Sequence, residues 1–294
     1  VAKLFGFVQF EIAGRLPLAE GRYLAGSADG SVEDEWVLVV KTTAAPAAPE
    51  RRRRRRVRGA PTEAEAMPLP LTRVMAIRAS SPLESPADAA RWLDEACEAD
   101  DAAAALVTEA ISPLNRALHA HAVAAADPHG RELAPEAAER VLIGYGSGED
   151  AADGRFSDAR EVDLAPRTSS RRRRREEQLR PQERLAGVLR GRERLDACET
   201  LLLRARADLD GGRAREAALQ LRAGLEALLV ELQGAVDDPG HAEDMAELQE
   251  RQAEAARAAE AATHGNLGDE DQAAVEGLLP ICERVLRRRR VLRG

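Results

Sequence analysis

A chain of 294 residues, 44% of them hydrophobic, has room for about two domains with cores of their own. No stretch reaches the roughly 18 uninterrupted apolar residues of a membrane span, so no membrane partner is expected. The net charge of −8 combines an acidic body with three arginine tracts, Arg51–Arg56, Arg171–Arg175 and Arg287–Arg290, while only Lys3 and Lys41 are lysine. Cys97, Cys198 and Cys282 are isolated, odd in number and free of any CxxC spacing. That argues against a disulfide framework or a cysteine zinc site and points to a reduced, cytoplasmic setting. The opening VAKLFGFVQFEI lacks a long apolar run and a small-residue cleavage site, so it does not read as a secretory signal.

The first 43 residues read as a β-meander. In Leu4–Ile12, positions 4, 8, 10 and 12 line one face, and Phe5 and Phe7 the other. Strands are expected at Arg22–Ala25 and Glu35–Thr42, separated by turn residues Ser27–Ser31. From Ala44 to Pro70 the composition shifts to Pro, Ala, Glu and Arg, which reads as a disordered insertion. Leu71–Ala79 resumes strand character, Pro86–Glu98 and Asp101–Ala125 read as helices, and Ser112-Pro113 is expected to bend the second one. Arg140–Tyr145 reads as a short strand with Phe156–Leu164 as its hairpin partner across a glycine-rich loop. Residues 1–165 therefore make one mixed α/β head, with residues 166–180 as an arginine-rich linker.

Beyond the linker, residues 181–294 carry four apolar stripes at steps of three and four. They run through Leu195–Leu209, Ala217–Leu232, Met245–Ala259 and Val275–Leu286, with Pro280 as a kink or restart in the last. Short breaks between them imply antiparallel neighbours, hence a four-helix bundle and an α+β chain overall. Every aromatic residue lies between Phe5 and Phe156, so this bundle must be built from Leu, Val, Ala and Met.

Few constellations suggest chemistry. Gly144, Gly146 and Gly148 follow a strand, as in a phosphate cradle, but Glu149, Asp150 and Asp153 come next and would repel a phosphate. A hairpin loop is the simpler reading. His121, Asp127 and His129 supply metal-ligand types, with His119 and Glu132 nearby. His119 and His121 point about 200° apart on a helix, so they cannot share an ion. The arginines Arg51, Arg52, Arg53, Arg54, Arg55 and Arg56, with Arg171, Arg172, Arg173, Arg174 and Arg175, could neutralise phosphates of RNA or DNA. No aromatics interleave with them for base stacking, and carboxylates elsewhere compete for them in cis. No Ser-His-Asp or Cys-His arrangement assembles, and no cofactor is called for.

Leu201–Leu229 resembles a tetratricopeptide helical hairpin: Gly212, Glu216, Ala217, Leu221 and Leu225 match the turn and second helix, and Ala207 the first. Asp208 stands where an aromatic is usual, and no second copy follows. The same stretch is similar to the opening hairpin of HEPN domains, which act as ribonucleases or dimerising adaptors. That resemblance implies an Arg and His pair for catalysis, for which Arg257 and His264 lie seven residues apart. The expectation is a non-enzymatic adaptor that binds a protein partner or itself. Polyanion binding and HEPN-like ribonuclease activity are the alternatives.

Overall fold

The computed structural model describes residues 3–26, 35–43, 69–164, 181–234 and 237–293. The proposed insertion, apart from Leu69 and Pro70, and the whole arginine-rich linker lie outside these, with both upstream arginine tracts. The fold is α+β, and the chain divides into two compact units, Val1–Arg167 and Thr168–Gly294.

The first unit is built on six antiparallel strands: β1 (Leu4–Ala13), β2 (Gly21–Ala25), β3 (Trp36–Thr43), β4 (Leu71–Leu83), β5 (Arg140–Ser147) and β6 (Asp158–Glu161). Their order is β2-β3-β4-β1-β5-β6, so the meander runs through β2, β3 and β4, and β1 inserts between β4 and β5. Both neighbours of β1 pair with it antiparallel, which makes β4 and β5 parallel to each other. Such strands need a long crossover, and two helices supply it: α1 (Pro86–Glu98) and α2 (Asp100–Ala124). Ser85 caps α1 by accepting from the Asp88 amide, and Pro86 sits at its first turn, where its missing N–H costs nothing. α2 runs through Pro113 as one helix, and Pro113 is buried.

Alternation along β1 sorts the two faces as its sequence indicates. Val8, Phe10 and Ile12 join Leu93, Val107 and Leu114 in the core beneath α1 and α2. Phe7 packs on the opposite face with Val39, Met75 and Ile77. That face is covered by a short helix, α3 (Gly148–Ala152), through Ala151 and Ala152. Arg22 of β2 pairs with Glu149, and Lys41 of β3 with Asp153, strapping α3 across the sheet. The acidic run after the glycines thus serves the fold.

The second unit is helical: α4 (residues 181–189), α5 (Ala197–Asp210), α6 (Ala214–Glu231), α7 (Pro239–Glu250), α8 (Gln252–His264) and α9 (Asp269–Arg293). The third apolar stripe belongs to two helices, because the chain breaks at Arg251. That residue leaves helical geometry at φ −94° and ψ 6°, with its guanidinium on Glu254. α9 continues through Pro280 as one helix. α6 packs against α5, α7, α8 and α9 and supplies Leu221, Leu225 and Leu228 to the core. Full burial of each stabilises the unit by roughly 1.5–3 kcal/mol. Ala255, Ala258 and Ala262 give α8 a flat face for close approach. Gly212, at φ +72°, turns the α5–α6 hairpin where an L side chain would be strained.

Candidate functional site

A pocket opens in the sheet unit where β4 leaves its ladder. Phe5 pairs with Pro82 but Phe7 pairs with Ile77, so Gly6 faces a bulge of Arg78, Ala79, Ser80 and Ser81. The Glu35 carbonyl holds the bulge by accepting from the Ala79 amide at 2.8 Å and the Ser80 amide at 3.4 Å. The resulting cavity has a volume of about 160 Å³. Gly6 and Val8 of β1, Trp36 of β3, Arg78, Ser81 and Leu83 of β4, Trp92 of α1 and Leu106 of α2 line it. A Cβ at Gly6 would stand 2.6 Å from the Trp92 ring, so the glycine is what admits the indole over β1. Both tryptophans of the chain therefore wall one pocket.

Arg78 is its charged member. The guanidinium lies 5.2 Å from the Trp36 ring centroid and pairs through Nη2 with Glu109 of α2. Its Nε is buried without a hydrogen-bond partner, as is the Ser80 Oγ behind it in the bulge. Nothing in the linear sequence marks this site. Trp36, Arg78 and Trp92 meet only through strand order and the bulge.

The helical unit presents a different feature. On α6, Leu219, Ala223 and Val230 are exposed within about 40° of one line along the helix, opposite a complete core face, and Glu226, paired with Arg222, shares that line. Val230 is 78% exposed and Leu219 44%, and Leu203 on α5 is 64% exposed. Single exposed aliphatics are ordinary, and Leu219 and Val230 stand out by recurring on one solvent-facing line of the same helix.

The residues suggested by sequence fall as follows. Gly144 and Gly146 lie within β5, and Gly148 opens α3, so strand and helix occupy the stretch read as a hairpin loop. Gly144 stands directly across from Phe7, and a Cβ there would lie 2.7 Å from the Phe7 ring and 2.5 Å from the Asp158 carbonyl oxygen. Phe156 covers the same ring, with centroids 5.4 Å apart. The glycines make room for aromatic packing. His121 lies in the last turn of α2, and Asp127 and His129 in the exposed turn after it, where the Asp127 carboxylate accepts from the His129 amide at 2.9 Å. His119 sits 3.7 Å from Glu132. Among the described residues, no group of three or more His, Cys, Asp or Glu is placed to hold a metal.

Arg257 donates to Asp271 at 3.0 Å and to Glu270 at 3.2 Å, while His264 is exposed at the end of α8. Two carboxylates on the arginine leave a poor seat for a phosphodiester. The third arginine tract is likewise engaged within the unit. Arg288 meets Asp244 at 2.6 Å, Arg289 pairs with Asp196, and Arg290 lies 3.7 Å from Glu199. Burial raises the Glu199 carboxyl, but the hydrogen bond and charge of Arg184 outweigh it and hold the group below its ordinary range. Burial pushes the Cys198 and Cys282 thiols up to about 12, which removes them as nucleophiles near neutral pH.

Among the described residues no helix is long and apolar enough to cross a membrane. No protein-family model, curated protein or solved structure matches the chain.

Proposed function

We propose that the protein is a non-enzymatic adaptor or assembly protein of the cytoplasm, with the helical unit as its docking module. The observation that carries this reading is α6, which has a filled core face and, on its outer line, the exposed aliphatics Leu219, Ala223 and Val230 around Glu226. Burying that row against another helix recovers apolar area that this chain leaves in water. The occupant is an amphipathic helix of a protein partner or of a second copy.

The test is a double variant, Leu219→Glu with Val230→Glu, in the full chain. Both positions are exposed, so folding should survive, as helical circular dichroism would check. Light scattering after size exclusion, with affinity capture at low and high salt, should show loss of self-association or of a captured protein. Unchanged assembly and capture would remove the reading. Nucleic acid that co-purifies at low salt and disappears on deletion of Arg51–Arg56 and Arg171–Arg175 would favour polyanion binding instead. RNA cleavage abolished by His264→Ala in a folded protein would favour the ribonuclease.

A further inference from the structure

We infer that the tryptophan-walled pocket of the sheet unit binds a small, planar organic carboxylate, its ring between Trp36 and Trp92 and its carboxylate on Arg78. This goes beyond the adaptor reading and does not depend on it, since the pocket and the α6 row lie in different units.

Size comes first. An apolar cavity near 150 Å³ takes up benzene, and this one, at about 160 Å³, suits one six-membered ring with a small substituent. Chemistry comes second. Val8, Leu83, Leu106 and the two indoles offer an apolar wall, while Ser81 is exposed at the rim. Charge comes third. Arg78 lines the cavity and carries the positive charge at this wall. Glu109 occupies Nη2, but a guanidinium has five N–H donors, and Glu109 is 43% exposed, so its pairing is cheap to share. A cation is disfavoured by Arg78, and a dianion would be undercompensated.

Both tryptophans line the cavity, so intrinsic fluorescence of the full-length protein reads occupancy directly. The probes are benzoate, its neutral analogue benzamide and the cation benzylamine. Benzoate should change the emission saturably, benzamide should bind about tenfold more weakly, and benzylamine should not compete. Arg78→Gln should bring benzoate down to the benzamide level and leave benzamide unchanged. If Arg78→Gln fails to fold, the three-probe contrast on the wild type stands alone. Leu106→Phe, which fills the cavity from α2, should then weaken benzoate and benzamide alike by calorimetry. The inference is overturned if benzoate shows no saturable response below about 10 mM, or if benzoate and benzamide bind equally.

Discussion

Single residues carry much of the fold's specificity in the sheet unit. Gly144 is the sharpest case, because a methyl group there meets the Asp158 backbone as well as the Phe7 ring. Backbone cannot yield as a side-chain tip can. Gly144→Ala should therefore cost about 2 kcal/mol or more in urea unfolding followed by tryptophan fluorescence. Gly146→Ala, whose nearest contact would be 3.3 Å, should cost visibly less. His241 is the reverse case. Its ring is buried in α7 with neither nitrogen hydrogen-bonded, so His241→Leu should stabilise the helical unit by about 1 kcal/mol in the same assay read by circular dichroism. The three cysteines differ in access. Cys198 and Cys282 are fully buried while Cys97 is partly exposed, so alkylation of native protein at mild alkaline pH should label Cys97 alone. Mass spectrometry of the peptides checks this.

At the scale of elements, the C-terminal arginine tract changes meaning once α9 is in place. Arg284 and Arg288 both reach Asp244, whose side chain is only 9% exposed. Removing both would leave a buried carboxylate without a cation, whereas removing one leaves the other in reach. Arg284→Gln with Arg288→Gln should cost about 1–3 kcal/mol, discounted for the partial exposure of the two arginines. Each single variant should cost much less than half of that. The boundary between α7 and α8 shows what an element-level reading misses. Helix breaks at Gly212 and Gly265 are marked by glycines of positive φ, but Arg251 carries neither glycine nor proline. Its break is set by its own guanidinium bonds and by packing. The ends of α1 were legible because Ser85 and Pro86 announce the start; the crossover it belongs to was not, since strand order follows from long-range pairing.

For the whole molecule, the units should respond differently to acid. The fold holds Glu199 ionised below the ordinary carboxylate range, so its stabilisation is complete above the unfolded value of about 4.3. It is lost as pH falls through the lowered folded value. Helical circular dichroism of the wild type should lose thermal stability on that descent, and Glu199→Gln should flatten the dependence. Tryptophan emission, which follows the sheet unit, should be indifferent to that substitution. A flattened profile in both signals would mean that the units melt together.

The sequence by itself determined where most of the helices and strands lie, though neither α3 nor the break between α7 and α8, together with the faces of β1 and the aliphatic character of the helical core. Those follow from periodicity, caps and composition, which are local. Tertiary structure alone decided the insertion of β1 between β4 and β5, the use of Gly144 as a seat for Phe7 and the pairing of Arg288 with Asp244. It also decided the meeting of Trp36, Arg78 and Trp92. Each joins residues distant in sequence, and the gain from joining them appears only when non-local burial has brought them together.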